Sequence, residues 1–382
     1  MTKMHILNKK ESTLLFLNRI HKLSDNFNSK NIIRFSSILI FIMLFVSSNK
    51  VLAQNNGSLS ATGSSGTNVG TTAAAFLEIG AGARAQAMGG AYTAITQDAT
   101  AMYWNTAGIG RLPGFEITFS HINWILDTKY DYFGIVKPIN DIFSVGANIT
   151  SFGVGEQPVR TVQLEGGTGE FYTAQDVAIG VSFALNLTDR FSFGINAKYI
   201  NQRIWHSSAT GFAIDVGGLY LTQLKGLQLG FSISNFGTDM KMSGRDLLNV
   251  VDPDIINEGV TNIPVDYKTG SFVLPLLFRF GVSYKLILSS ISSEMTFAVD
   301  LLKPNNDKES VNLGMEYLIF KTIALRAGYR SLFLNGNTGG LSLGFGLSLT
   351  PLRSKFEVTV DYAYVDLGLL NSVHNFGLNF RF

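Results

Sequence analysis

The last nine residues, His374-Asn375-Phe376-Gly377-Leu378-Asn379-Phe380-Arg381-Phe382, alternate between polar and apolar side chains to the end of the chain. Successive side chains of a β-strand point to opposite faces. The apolar face of this strand would consist of Phe376, Leu378, Phe380 and Phe382. A strand between lipid and water has this pattern, and so does a half-buried strand of a soluble β-sandwich. The rest of the chain has to decide between the two.

The other end of the chain carries the features of an export signal. Ile38 to Val46 is an unbroken apolar run that follows a basic segment and precedes Val51-Leu52-Ala53, a small-residue cleavage site. The run is too short for a membrane helix, which needs about 20 residues. We therefore predict that residues 1–53 are a secretory signal peptide. The basic lead-in is long, which leaves open a true start codon downstream of Met1.

Removing the signal peptide changes the charge of the chain. The 329 residues that remain contain 22 Lys and Arg against 26 Asp and Glu, a net charge of −4, whereas the full chain carries +2. The basic residues thus belong largely to the signal, and the composition does not favour a nucleic-acid partner. The chain has no cysteine, which excludes disulfides and thiolate-ligated metals.

The remaining composition favours a β-protein. The chain contains 39 Gly, 29 Phe and 13 Tyr with only 15% charged residues, and no apolar run after the signal is long enough for a membrane helix. For an exported chain of this kind, the closed barrel is the way to span a membrane. We predict fourteen strands from period-2 alternation and turn residues. They cover approximately 115–125, 128–137, 141–152, 171–187, 190–205, 210–221, 226–236, 270–287, 292–303, 308–318, 321–331, 339–349, 355–364 and 370–382.

The lengths of the connections separate a barrel from a sandwich. If the first strand runs outward, the turns at the periplasmic end are all short, and the longest connections, Gly153–Glu170 and Gly237–Thr269, lie at the outer end. Outer-membrane barrels sort their loops in this way. The sequence therefore predicts an all-β, 14-stranded antiparallel transmembrane β-barrel in the bacterial outer membrane.

The polar faces of these strands carry charges of both signs, which we expect inside the barrel. These residues are Arg279, Glu294, Asp300, Glu316, Arg326, Arg330, Glu357, Asp361 and Arg381. A mixture of signs predicts ion pairs that brace the interior. The alternative is a polar transport path.

A segment rich in Ala and Gly precedes the barrel. Small side chains between Ala81 and Ala91 suit a peptide packed inside a barrel, and Asp98 to Asn105 predicts a short helix capped by Asp98 and ended by Gly108. We expect a flexible tail over 54–72, an N-terminal plug or hatch over 73–112 and the barrel over 113–382. The candidate hatch residues are Gly82, Arg84, Met88, Gly89, Gly90, Asp98, Trp104, Asn105 and Gly108.

The hatch motifs resemble a known family. Gly82-Ala83-Arg84-Ala85-Gln86-Ala87-Met88-Gly89-Gly90-Ala91-Tyr92, followed by Asp98-Ala99-Thr100-Ala101-Met102-Tyr103-Trp104-Asn105-Thr106-Ala107-Gly108, is similar to the hatch of FadL-like outer-membrane proteins and, more closely, of the PorV/PorQ family. That family usually has Asn-Pro-Ala-Gly where this chain has Thr106 in place of Pro. The segments Phe297–Pro304 and Leu325–Arg330 also look typical of it.

The resemblance implies two functions. PorV-like proteins are type IX secretion components that bind secreted cargo proteins through a C-terminal sorting domain. FadL-like relatives instead admit long-chain fatty acids or other hydrophobic molecules. The C-terminal pattern resembles the assembly signal read by the barrel-assembly machinery, with Phe376, Leu378, Phe380 and Phe382 as its residues. The implied partners are thus outer-membrane lipid, that machinery, secretion components and their cargo.

Catalysis and cofactor binding have little support in the sequence. After the signal only His121, His206 and His374 remain, and none has a Ser or Asp at a spacing that suggests a catalytic dyad. The glycines around Gly80–Gly90 do not form a phosphate-binding loop, and no metal-ligand spacing is recognisable. We expect neither an enzyme nor a cofactor.

The longest outer loop contains apolar residues, which are expected to pack either against the barrel or against another protein. They include Met240, Met242, Leu247, Leu248, Ile255 and Ile256. Such residues either fold back over the mouth of the barrel as a lid or form a surface that binds another protein. The sequence leaves both alternatives open.

Overall fold

A computed structural model describes residues 69–96, 98–252, 262–289, 292–334, 339–349 and 356–382. The predicted signal peptide, most of the predicted tail, Ile255 and Ile256 lie outside these residues. The described chain is a 14-stranded antiparallel transmembrane β-barrel. No helix in this part of the chain is long and apolar enough to cross a membrane.

Every barrel strand pairs with its neighbours in chain order, and β14 pairs with β1 to close the sheet. The strands are β1 (Glu116–Asn123), β2 (Lys129–Pro138), β3 (Phe143–Pro158), β4 (Phe171–Asn186), β5 (Phe191–Ile204), β6 (Ser207–Leu221), β7 (Leu227–Gly237), β8 (Leu277–Leu288), β9 (Ser293–Pro304), β10 (Ser310–Ile319), β11 (Ile323–Leu332), β12 (Leu341–Leu349), β13 (Glu357–Asp366) and β14 (Ser372–Arg381). Closure gives the backbone groups of each strand partners on both sides, as hydrocarbon requires.

The predicted strands are confirmed in number and order, with two clear differences in length. β8 begins at Leu277, whereas the sequence pattern predicts a start at residue 270. β3 runs on to Pro158, so the first long outer connection begins at Val159 and not at Gly153. A bulge between Val154 and Gln157 lets the β3–β4 ladder continue past the irregular stretch. Together, β3 and β4 form a hairpin that is longer than the sequence pattern suggested.

The two faces of the wall are separated as the alternation predicts. In β14, Asn375 is 1% exposed and faces the lumen, whereas Phe376 is 50% exposed and faces outward. The ring of Phe382 packs against Phe115 and Phe356 at centroid distances of 5.7 and 6.1 Å, where the barrel closes. The outer wall is thus apolar and the lumen polar.

The hatch runs through the lumen from one end of the barrel to the other. Near its start, the N–H of Ala73 donates to the carbonyl of Val273 at 2.9 Å, in the long connection between β7 and β8. Near its end, Arg111 donates to the carbonyls of Thr188 and Asp189, both at 2.9 Å, in the turn between β4 and β5. The first contact lies at the end with the long loops, here called the outer end, and the second at the opposite, inner end.

Short helical segments make up much of the hatch. These are a 3₁₀-helix over Ala75–Glu78, α1 (Ala83–Ala87), α2 (Ala101–Trp104) and a 3₁₀-helix over Thr106–Arg111. The prediction that Gly108 ends α2 is wrong. The helix stops at Trp104 because Asn105 is extended, with φ −163°, and its side chain accepts from the N–H of Ala107 to cap the next segment.

The outer end carries further small elements. Three short 3₁₀-helices lie in its connections, over Ile125–Asp127, Arg245–Leu247 and Gly368–Leu370. Short strands occur at Met240–Lys241, Ser243–Gly244, Leu248–Val251, Ile263–Asp266 and Ser271–Phe272. Leu248–Val251 pairs only with Ile263–Asp266, and Ser243–Gly244 joins the edge of β6.

Candidate functional site

The centre of the hatch is fixed to the wall by four charged side chains. Arg84 makes two hydrogen bonds to the Glu316 carboxylate, from Nε at 2.8 Å and from an amino nitrogen at 2.6 Å. Arg326 donates to Glu316 at 2.7 Å and to Asp361 at 2.6 Å. The prediction of ion pairs across the lumen is therefore confirmed. Bidentate pairs of this kind fix orientation as well as position.

Asp98 connects this group to the rest of the hatch. Its carboxylate lies 3.9 Å from Arg84, accepts the Tyr92 hydroxyl at 2.5 Å and accepts the N–H of Thr100 at 3.0 Å. Asp98 therefore caps the turn just ahead of α2. Burial raises the pKa of Tyr92 well above its ordinary value, so the phenol stays protonated and donates to Asp98. Burial lowers the pKa of Arg84, but Glu316, Tyr92 and Asp98 together raise it by more, and the guanidinium stays charged.

A second carboxylate of the wall holds the hatch by its backbone. Asp300 on β9 is fully buried, and its Oδ2 accepts the N–H groups of Tyr92 at 3.0 Å and Thr93 at 2.9 Å. The alternation of β9 predicts that Asp300 faces the lumen, but no side-chain pattern predicts its partners, because they are main-chain groups. A buried carboxylate that accepts backbone N–H groups needs no particular side chain opposite it.

Glycines allow the hatch to approach the wall closely. Gly89 has φ +65°, and a Cβ there would lie 2.7 Å from the backbone nitrogen of Tyr329 and 2.8 Å from the carbonyl oxygen of Leu313. Gly90 has φ +72°, and a Cβ there would lie 3.1 Å from Asn312. The neighbouring Met88 is fully buried. These positions therefore need both the left-handed backbone and the small size of glycine.

The other two glycines among the candidate hatch residues, Gly82 and Gly108, are restricted by other hatch residues. Gly82 has φ +86°, and a Cβ there would lie 2.7 Å from the Thr100 methyl. A Cβ on Gly108 would overlap with Thr96. The small residues predicted from the sequence thus serve packing within the hatch as well as packing against the wall.

The inner half of the hatch is held by amides. Asn105 donates to the carbonyls of Thr93 at 2.8 Å and of Gly218, on β6, at 3.0 Å. Asn186 on β4 donates to the carbonyl of Gly110 at 2.6 Å. These contacts fix the hatch without charge.

An aromatic group packs above the charged centre. Trp104 is 3% exposed and donates from its indole to the carbonyl of Ala81 at 2.8 Å. The guanidinium of Arg279 lies over the rings of Trp104 and Tyr103, at 5.2 and 5.6 Å from their centroids. Cation–π contacts of this kind partly replace the water that a buried guanidinium loses.

The hatch and the charged group together fill the middle of the lumen. Glu116 on β1 is a further charged residue of the lumen and is absent from the set predicted above. Its carboxylate forms an ion pair with Arg381 at 2.9 Å and accepts a hydrogen bond from the N–H of Ala99 at 2.7 Å. Arg381 also pairs with Glu357 at 3.3 Å. Glu116 follows Pro113-Gly114 at the start of β1, and alternation with Thr118 and Ser120 is the signal that could have placed it in the lumen.

Two cavities between described residues lie at the outer end. The first, here called the mouth groove, has a volume of about 610 Å³ and lies between the tip of the β3–β4 hairpin, the β5–β6 turn and the long loop, with Arg160, Trp205 and Met242 among its lining residues. The second has a volume of about 450 Å³ and lies beside the start of the hatch, with Phe76 and Trp124 in its wall. Residues of both predicted outer loops thus line a single groove.

The long loop divides into a buried and an exposed part. Met240 is 1% exposed and Met242 is half-buried, and both pack against the apolar core at the mouth. Leu247 is half-buried, whereas Leu248 and Val250 are 56% and 57% exposed on the short hairpin. The loop therefore has features of both alternatives, with a lid-like base and an exposed apolar tip.

The three described histidines lie apart from the hatch, and none of them contacts a serine hydroxyl of the described residues. His121 pairs with Asp131 at 2.7 Å, and His374 contacts the Tyr362 hydroxyl at 2.7 Å. His206 and Ser207 both contact Asp246, but the Nε2 of His206 faces Arg245 at 2.7 Å. A triad needs a serine hydroxyl on that nitrogen. Among the described residues no group of three His, Asp or Glu side chains could hold a metal ion.

Comparison with known proteins gives a family and a set of barrels. A family model described as type IX secretion system protein PorV matches residues 62–255, which is more than half of the chain. A search of curated proteins found no match.

Several solved structures are similar in fold. The Ralstonia pickettii toluene transporter TbuX has a TM-score of 0.49 at 14% identity, over 79% of this chain and 98% of that one. The P. putida toluene transporter TodX has a TM-score of 0.48 at 12% identity, over 79% and 96%. A Pseudomonas aeruginosa FadL homologue has a TM-score of 0.44 at 12% identity, over 78% and 95%.

Proposed function

The chain belongs to the PorV family of type IX secretion system proteins, and from this premise we propose that it serves secretion by binding other proteins at its outer end. Its partners in this proposal are secretion components and exported cargo proteins. In this proposal the barrel is a scaffold in the outer membrane, and its outer loops bind the partner proteins.

The observation that carries this proposal is the way the hatch fills the lumen. A fatty-acid path needs apolar lining, but the middle of this lumen contains the ion-paired group of Arg84, Glu316, Arg326 and Asp361. Moving the hatch would separate Arg84 from Glu316 and leave buried charges without partners, which costs about 3–5 kcal/mol. The closed state is therefore strongly favoured over an open channel.

Exposed apolar residues on the outer loops also support the proposal. The exposed tip of the long loop carries Leu248 and Val250, and the opposite loop carries Val162 and Leu164, which are 89% and 53% exposed. Exposed apolar residues that lie close together are typical of protein-binding surfaces.

A second function has one observation in its favour. The cavity beside the start of the hatch has aromatic residues such as Phe76 and Trp124 in its wall, together with the polar Glu78, Arg330 and Asp366, and its volume is large enough for a small molecule. A FadL-like transporter of long-chain fatty acids or other hydrophobic molecules would need such an entry site. It would also need the hatch to move.

A deletion strain distinguishes the two functions. Secretion of proteins with the C-terminal sorting domain and uptake of a labelled long-chain fatty acid are measured in the same strain, with the wild-type gene restored as a control. We expect secretion to fail while uptake is unchanged. Intact secretion with impaired uptake would contradict the proposal and favour the transporter.

A further inference from the structure

The mouth groove has one residue in an unusual backbone conformation. Trp205, in the turn between β5 and β6, has φ +51°, which is rare for a residue with a large side chain. A left-handed conformation costs about 1–2 kcal/mol for such a residue. Strain of this kind is often retained where a side chain has to be held for binding.

The Trp205 side chain is held by its neighbours. Its ring packs on the ring of His206, with centroids 4.5 Å apart. The backbone N–H of His206 donates to Asp246 at 2.9 Å, and its Nδ1 lies 2.9 Å from the same carboxylate. Arg245 contacts the other side of the imidazole. The indole therefore packs, at the wall of the groove, on an imidazole that is itself held by Asp246 and Arg245.

The other residues of the groove define the chemistry that it could bind. Tyr172 supplies a second aromatic ring, and Gln157, Arg160, Ser207 and Asp246 supply polar groups. One arginine and one aspartate leave the lining close to neutral, which does not suit a phosphate or a nucleic acid. Four polar side chains in one groove do not suit an aliphatic chain either, because their water would be lost without replacement.

A sugar ring matches this combination. A pyranose has an apolar C–H face, which can stack on an indole, and hydroxyl groups at its rim, which exchange hydrogen bonds with planar polar side chains. We propose that the mouth groove binds a neutral sugar residue of a surface glycan, with Trp205 as the stacking platform and Arg160 and Asp246 among the hydroxyl-binding groups. This site is separate from the protein contacts proposed for the exposed loop tips.

The sugar could come from two sources at the outer face of the membrane. One is the polysaccharide of the outer leaflet, and the other is a glycan carried by an exported protein. Both present the same chemistry to the groove. An experiment with one arm for each source can separate them.

The test is isothermal titration of the full mature protein in detergent micelles. One arm uses polysaccharide released by mild acid from the bacterium's own lipopolysaccharide, and the other uses glycopeptides from its exported proteins. Trp205→Asn removes the ring but tolerates the left-handed backbone, whereas Trp205→Phe keeps an aromatic face. Trp124→Phe, in the other cavity, is the matched control.

We expect binding in at least one arm, weakened at least tenfold by Trp205→Asn and retained in Trp205→Phe and Trp124→Phe. The arm that binds identifies the source of the sugar. Absence of binding in both arms would overturn the proposal, and so would equal binding by the Trp205→Asn variant with normal heat-modifiability.

Discussion

The lumen and the outer mouth of this barrel are built in opposite ways. In the lumen, charged side chains such as Arg326 and Glu316 are buried and paired, and glycines such as Gly89 lie against backbone. At the mouth, apolar side chains such as Leu248 and Val162 are exposed. The ion pair between Lys303 and Glu309, beside the β9–β10 connection, is exposed to solvent. The charges at the centre of the lumen are paired within the chain, whereas the mouth leaves apolar side chains exposed.

The largest effect on stability should come from the buried charges. Arg326→Met leaves Glu316 without one of its two arginines and Asp361 without its arginine, and the loss of a buried partner costs about 3–5 kcal/mol. We expect a clear fall in the denaturation midpoint, measured by heat-modifiability on gels. Lys303→Met, which removes an exposed pair, should leave the midpoint unchanged. Equal midpoints for Arg326→Met and the wild type would mean that the lumen is hydrated.

A smaller loss is expected where the hatch touches the wall. Gly89→Leu places a side chain against backbone atoms of β10 and β11, and overpacking of this kind costs about 1–3 kcal/mol. Gly155→Leu is the matched control, because a Cβ there has no atom within 4 Å. The urea midpoint of the refolded protein should fall for Gly89→Leu alone. An unchanged midpoint would place the hatch segment away from the wall.

The C-terminal aromatic should affect assembly more than stability. Phe382→Asp introduces a charge at the end of the outward row of β14, and we expect less heat-modifiable protein in the outer membrane. Val162→Asp adds the same charge to an exposed outer loop and should insert normally. Normal insertion of the Phe382→Asp variant would contradict the assembly-signal hypothesis.

The smallest effect on stability should come from the mouth. The double variant Leu248→Ser/Val250→Ser changes exposed residues, so its stability should stay within about 0.5 kcal/mol of the wild type. Its secretion of proteins with the sorting domain should nevertheless fall. Phe320→Ser, in an exposed inner turn, is the control and should leave secretion intact. Normal secretion by the double variant would remove the loop tip from the candidate partner surface.

The sequence predicted those features that depend on local pattern. Alternation in stretches such as Phe356–Tyr364 is repeated along the chain, which is why fourteen strands and the lumenal face could be predicted. The ion pairs could be expected as a group, but the partner of Arg84 could not. Its contact with Glu316 spans 232 positions and depends on the register of the closed barrel.

The features that escaped prediction depend on the three-dimensional setting. α2 ends at Trp104 because the next residue, Asn105, is extended and reaches β6, and no pattern in the sequence distinguishes Asn105 from Gly108 as the residue that ends the helix. The strain at Trp205 is set by the two-residue turn between β5 and β6. The mouth groove needs three outer segments that are far apart in the chain.

A disulfide between the hatch and the wall can show whether the hatch stays in place while the outer end binds other proteins. The chain has no cysteine, and a Cβ on Gly377 of β14 would lie 3.2 Å from the Cβ of Ala83 in α1. This is slightly below the usual range of about 3.5–4.5 Å for a disulfide, so small adjustments should allow the bond. Each single cysteine variant serves as a control.

The measurement is secretion of proteins with the sorting domain by cells that carry the oxidised Ala83→Cys/Gly377→Cys protein, with and without a reductant. We expect secretion at the level of the single variants in both conditions, because the hatch does not have to move. Loss of secretion in the oxidised state, restored by reduction, would show that the hatch opens during function and would contradict a hatch that stays in place.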